Sequence, residues 1–153
     1  KTGPSCLIFS RQNLNFQKRS DAQIANIAKG AYVLADAAGA KMVLIATGSE
    51  VQLAMDAKKV LDEQGIPTRV VSMPSTNVFD KQDQAYKDSV LLPTVHKVAI
   101  EAGVTDGWWK YRCAAVVGID TYGESAPAPA LFEHFGFTAQ NVADTVRKVL
   151  LAS

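Results

Sequence analysis

Met42-Val43-Leu44-Ile45-Ala46-Thr47-Gly48-Ser49-Glu50 opens with five consecutive apolar residues and closes on a turn and the start of a helix. An apolar run of this length is too short for a globular helix. It reads as a strand buried on both faces, the pattern of a central strand in a parallel sheet. Ser49-Glu50-Val51-Gln52 has the form of a capping box. Leu53, Ala57, Val60 and Leu61 then recur at helical spacing, with Lys58, Lys59, Asp62 and Glu63 mostly off that stripe. Gly65 is suited to closing the helix and Pro67 forbids its continuation. Thr68 to Met73 is a second apolar strand, so the stretch is a βαβ unit whose parallel strands need cover on both faces.

Working outward, Cys6-Leu7-Ile8-Phe9-Ser10 reads as a short strand, followed by the aperiodic Arg11-Gln12-Asn13-Leu14-Asn15-Phe16-Gln17-Lys18-Arg19, a linker. Ser20-Asp21-Ala22-Gln23 repeats the capping-box pattern before a helix carrying Ile24, Ile27 and Ala28 that stops near Gly30. Ala31 to Ala35 could continue that helix or form a strand, and Gly30 before it with Ala38-Gly39 after it favours a strand, at or near a sheet edge. If Asp36 to Lys41 is only a turn, it runs antiparallel to Met42–Ala46. Pro74 to Asn77 reads as loop, Asp80 to Leu92 as a helix with Ala85, Tyr86 and Val90 inward, and His96 to Glu101 as a strand. Trp108, Trp109 and Tyr111 fall in an irregular segment and Ala114 to Ile119 is another strand. Thr121 to Pro129 is loop, Ala130 to Phe135 a turn or two of helix, and Thr138 caps a last helix with Val142, Val146, Val149 and Leu150 inward. Five strands alternating with helices predict a three-layer α/β/α sandwich around a mixed sheet, mostly parallel with one antiparallel strand.

With 153 residues and 48% apolar content, the chain suits one sizeable core. A net charge of +1 gives no broad electrostatic case for nucleic acid or an anionic membrane surface. No apolar run approaches the roughly 20 residues of a membrane span. Cys6 and Cys113 have no metal-ligand spacing, which fits reduced thiols in a cytoplasmic protein. Lys1-Thr2-Gly3-Pro4 is not a signal peptide and has the look of a cut piece, with the first strand left from a preceding domain.

Candidate sites are few. There is no G-x-G-x-x-G and no Walker Gly-Lys-Ser/Thr. Thr47-Gly48-Ser49-Glu50 lies where open sheets bind ligands, yet Glu50 in the first turn would repel an anion, so a plain turn and cap is the simpler reading. Arg11 follows a strand and is flanked by Ser10, Gln12 and Asn13. Its guanidinium fork suits a phosphate or carboxylate, although a solvated linker arginine is the commoner case. Ser125 with His134 or His96 lacks a nucleophile elbow. Glu101 and Asp106 bracket a strand end without the His or Cys partner that a metal or acid–base site needs. Trp108-Trp109 is most simply packing or a subunit contact.

Three stretches, in order along nearly the whole chain, resemble the transketolase family. They are Leu7-Ile8-Phe9-Ser10-Arg11-Gln12-Asn13-Leu14, then Ile45 to Val51 with Val70-Val71-Ser72-Met73-Pro74, and last Tyr122-Gly123-Glu124-Ser125-Ala126-Pro127 with Leu131 to Thr138. The resemblance implies the carboxy-terminal part of such an enzyme. Residues 1–12 would be the last strand of the pyrimidine-binding domain, 13–29 a linker and short helix, and 30–153 the C-terminal α/β domain, which in the family is a mixed five-stranded sheet with one antiparallel strand. It further implies a cytoplasmic homodimer that uses thiamin diphosphate and a divalent metal (magnesium or calcium). The full-length enzyme moves a two-carbon ketol unit from a ketose phosphate to an aldose phosphate in the pentose phosphate pathway. Arg11 matches the arginine that binds the substrate phosphate in the family. The Gly-Asp-Gly-to-Asn-Asn motif that holds metal and diphosphate is absent, as are the cofactor-activating glutamate and the sugar-handling histidines. No catalytic, cofactor-binding or metal-binding residue is therefore expected in the chain, and the fragment should be inactive. Dihydroxyacetone synthase is a close alternative. Deoxyxylulose phosphate synthase and the pyruvate dehydrogenase beta subunit share the layout but are not expected to carry both the first and the last motif. A non-catalytic dimerisation or regulatory module, binding a small anion near Gly48-Ser49, is the alternative of another class.

Overall fold

The computed structural model describes residues 3–10 and 12–152. Residues 3–10 and 12–20 run without helix or strand to α1 (Asp21–Ile27). There follow β1 (Tyr32–Ala35), β2 (Met42–Ala46), α2 (Glu50–Glu63), β3 (Thr68–Ser72), α3 (Thr76–Phe79), α4 (Gln84–Leu91) and β4 (His96–Ile100). A 3-10 helix (Asp106–Tyr111), β5 (Ala115–Val117), α5 (Ala128–His134) and α6 (Ala139–Leu151) complete the chain.

The strands form one sheet in the order β1-β3-β2-β4-β5, all parallel except β1. β2 is completely buried, as its unbroken apolar run requires. Its alternate residues feed two cores. Met42, Leu44 and Ala46 meet α2 and α6 on one face, through Ala54, Ala57, Leu61, Val142 and Val146. Val43 and Ile45 meet α3, α4 and the 3-10 helix on the other, through Phe79, Val90, Trp108 and Tyr111. The result is the expected mixed, five-stranded α/β/α sandwich.

Several local expectations are corrected. No strand forms at Cys6–Ser10: Leu7, Ile8 and Phe9 are 78%, 92% and 82% exposed, because the described residues offer no neighbouring strand to complete a hydrogen-bond ladder. β1 is antiparallel and at the edge, but its bonded neighbour is β3, with Tyr32 opposite Ser72. Pro74–Asn77 is not all loop, since α3 begins at Thr76, and the next helix begins at Gln84 rather than Asp80. Trp108 and Trp109 lie in the 3-10 helix, Trp108 buried and Trp109 half-exposed. On α2, Val51 and Ala54 join Ala57 and Leu61 in the core, while Leu53 and Val60 sit at its margin.

The capping boxes divide. At Ser20 both reciprocal bonds form, Gln23 N–H to Ser20 Oγ and Ser20 N–H to Gln23 Oε1. Gln23 also donates to the carbonyls of Val33 and Leu34 on the edge strand β1, where the register with β3 shifts. Thr138 caps α6 through the Asn141 N–H. Ser49 does not cap α2. Its backbone is already helical (φ −66°, ψ −29°), whereas a capping side chain needs an extended backbone to reach the first-turn amides. Its hydroxyl instead donates to Glu50 Oε1 at 2.7 Å. Gly65 closes α2 at φ 73°, as expected. Gly30 has φ 87°, and a Cβ there would lie 2.4 Å from both Phe79 N and Ser75 O, so only glycine fits where the chain enters β1 beneath α3.

Candidate functional site at the carboxyl rim of the sheet

β2 and β4 are bonded neighbours whose last residues, Ala46 and Ile100, stand opposite each other. β2 leads into α2 on one face of the sheet and β4 into the 3-10 helix on the other. The chain thus departs in opposite directions from two adjacent strand ends. That creates the crevice in which open α/β sheets bind ligands. Here the crevice is about 450 Å³ and is lined by Thr47, Met73, Ser75, Glu101, Trp108 and Lys110.

Its electrostatics are unusual. Glu50 is only 3% exposed although it is charged and sits in the first turn of α2. Glu101 follows β4 directly, and its Oε2 is buried with no hydrogen-bond partner among the described residues. Burial, and then the charge of Glu50, push the Glu101 carboxyl up to about 7. Glu101 alone of the two lines the crevice, and a carboxyl raised towards neutrality can hold or pass a proton. Sequence reading had paired Glu101 with Asp106 and taken Glu50 as a charge facing an incoming anion. The feature it missed was that the ends of β2 and β4 are neighbours.

Beside the crevice, the linker crosses the same rim. Gln17 Nε2 donates to Gln52 Oε1 at 2.6 Å, and Arg19 donates to the Tyr32 hydroxyl at 2.6 Å and to Gln17 O at 2.7 Å. Together they frame a cleft of about 360 Å³ that includes Phe16, Gly48, Ser49 and Ser72. Arg11, the residue expected to bind phosphate, lies outside the described residues.

The remaining sequence candidates are not assembled. Ser125 lies in an exposed loop. His134 ends α5 with its ring 4.7 Å from Phe135, and His96 begins β4 at the opposite rim. Asp106 is exposed at the start of the 3-10 helix. Among the described residues no three His, Cys, Asp or Glu side chains group as a metal site. Cys6 is exposed, while Cys113 is buried and its thiol is pushed up to about 11, chiefly by desolvation. Among the described residues no helix is long and apolar enough to cross a membrane.

A mixed five-stranded sheet with its first strand reversed, helices on both faces and a linker laid over the carboxyl rim defines an open-sheet α/β domain with its crevice at the strand ends. The family model described as "Transketolase-like TK C-terminal domain" matches residues 30–138, and the chain belongs to that family. It is 55% identical over 152 residues to transketolase 1 of Escherichia coli, covering 97% of this chain and 23% of that protein. To transketolase 2 of Aliivibrio fischeri it is 54% identical over 154 residues, covering 98% and 23%. Among solved structures, the transketolase of Leishmania mexicana superposes with a TM-score of 0.85 at 42% identity, over 91% of this chain and 20% of that one. The inactive beta4 tetramer of a split-gene transketolase superposes with a TM-score of 0.64 at 27% identity, over 81% and 43%. The chain thus spans about a quarter of the length of the curated relatives it matches, and only their C-terminal part.

Proposed function

We propose that this chain is the C-terminal portion of a thiamin diphosphate- and divalent-metal-dependent transketolase. The complete enzyme is a cytoplasmic homodimer of the pentose phosphate pathway that transfers a two-carbon ketol unit between sugar phosphates. The observation that carries this reading is identity above 50% to transketolases across essentially the whole chain. In this division of labour, residues 1–12 close the preceding pyrimidine-binding domain, 13–29 link, and 30–153 form a self-packed support.

The residues at hand do not fit the cofactor. The sequence has no Gly-Asp-Gly-to-Asn-Asn motif, and among the described residues no acid or histidine cluster awaits a metal. In this reading the chemistry belongs to residues outside this chain, and the chain by itself is expected to be inactive. The inactive beta4 tetramer of the split-gene relative supports that view.

Arg11 is the one substrate contact we assign. A guanidinium presents paired N–H donors that match two oxygens of a phosphate, fixing the far end of the sugar while reaction proceeds at the other. Arg11→Ala in the complete enzyme is expected to raise KM for phosphorylated sugars by about 10- to 100-fold, the loss of one charge-assisted contact, and to leave unphosphorylated sugars nearly unaffected. Equal loss for both substrate types rejects the assignment.

A further inference from the structure

A further cleft of about 360 Å³ lies between α4, the start of β4 and the 3-10 helix, with Lys110 lining both it and the crevice of the carboxyl rim. Lys97 on β4 lines it and is only 4% exposed. Its Nζ donates to a single backbone carbonyl, Val95 O at 2.8 Å, leaving two ammonium donors without a partner among the described residues. No carboxylate there lies within ion-pair distance of it, and the same holds for Arg112. A buried charge is ordinarily paired, so this arrangement is costly in an empty protein.

Arg112 aggravates the imbalance. Its charge adds to burial in pushing the Lys97 ammonium down, with only Cys113 acting the other way. Arg112 also has φ 57°, a left-handed backbone unfavourable for a residue with a Cβ, where glycine would be at ease. That backbone is the C-cap of the 3-10 helix, its N–H donating to Trp109 O, and the exposed Arg112 side chain is among those lining the cleft. The other charged groups lining the cleft are Asp80, Lys87, Asp88 and Lys110. Asp80 accepts from Lys110 Nζ at 2.6 Å and from the Tyr111 hydroxyl at 2.8 Å. Lys87 donates to Asp80 O, and Asp88 accepts from Gln84. The lining thus carries four cations, Lys87, Lys97, Lys110 and Arg112, against the carboxylates of Asp80 and Asp88, an excess of two positive charges beside the apolar rings of Phe79 and Tyr111, with Lys97 buried and Arg112 exposed.

We propose that this cleft binds a small phosphomonoester, its dianionic head held between the Lys97 ammonium and the Arg112 guanidinium and its organic part against Phe79 and Tyr111. An excess of two positive charges in the lining calls for a dianion. A point donor and a planar fork arriving from different elements suit a tetrahedral group with several free oxygens. The volume falls in the range of small-molecule sites and exceeds what a bare phosphate fills. The site is separate from Arg11 and does not depend on the function proposed above.

The test is calorimetric titration of the 153-residue chain at low ionic strength with inorganic phosphate and, separately, with ribose 5-phosphate. Saturable one-to-one binding is expected, tighter for the ester. Lys97→Met and Arg112→Gly should each weaken it by about tenfold or more. Arg112→Gly should do so while keeping or raising the melting temperature, because glycine accepts the left-handed backbone. Should Lys97→Met fail to fold, Arg112→Gly decides alone. Arg11→Ala should leave the affinity unchanged. Absence of saturable binding, full affinity in Arg112→Gly, or loss of affinity in Arg11→Ala instead would each overturn the site. Ribose 5-phosphate binding no tighter than inorganic phosphate would overturn the assignment to a monoester.

Discussion

Replacing Glu101 by glutamine tests the carboxyl pair of the rim. In the folded chain the Glu101 carboxyl is raised from 4.5 to about 7 by burial and then by Glu50. Between those two values the folded state holds a proton that the unfolded state has released. Stability therefore falls as pH rises: the contribution of the protonated acid is whole below about 4.5 and gone above about 7. A shift of this size has a ceiling of about 3 kcal/mol. Glu101 is half-buried rather than sealed, and solvent screening reduces the expected loss to about 1–2 kcal/mol. Glu101→Gln keeps the shape and cannot ionise, and its amide can donate towards Glu50. The variant should match the parent near pH 4.5 and gain on it steadily up to pH 8, ending about 1–2 kcal/mol more stable, or about 2–8 °C higher in melting temperature. Urea denaturation across that pH range gives the difference directly. Parallel stability profiles for the two proteins would refute the reasoning, as would a gain that grows towards acid.

Two further expectations concern the backbone. Ser20→Ala removes a complete capping box and should cost about 1 kcal/mol or expose α1 to faster amide exchange, whereas Ser49→Ala, which removes no cap, should cost no more than a few tenths. Paired denaturation curves compare them, and equal costs would contradict the geometry. Gly30→Ala forces a Cβ to 2.4 Å from the backbone of α3 and a side chain into a left-handed conformation. It should destabilise by about 3 kcal/mol or more, read as a lowered denaturation midpoint with little change in slope. A near-neutral result would mean that α3 moves aside freely.

Most strands were legible from their apolar stretches, and a run such as Met42–Ala46 can only be buried on both faces, whereas Tyr32–Ala35 was marked by the glycines around it and the apolar run at Cys6–Ser10 forms no strand. Helix ends were legible where a single residue controls the backbone, as at Gly65 and Thr138. Ser49 shows the limit of that approach. The motif is present, but the tight turn from β2 leaves Ser49 helical and its hydroxyl turned to Glu50. Strand order is set by contacts between distant segments and leaves no local mark, so the partner of β1 and the approach of Glu50 to Glu101 could not be read. Lys97 is a similar case. One charged residue at the start of an apolar strand looks like a solvated end, and only the packing of α4 and the 3-10 helix shows that it is buried.

The amide of Gln23 has a consequence beyond fixing α1. An edge strand presents unpaired carbonyls that invite a foreign strand to dock, the first step towards fibrils or exchanged segments. On β1 two carbonyls are already taken by Gln23, so α1 guards that side of the sheet. At the far side β5 is three residues long, too short to template much. Gln23→Ala is where recruitment of a neighbouring molecule would begin.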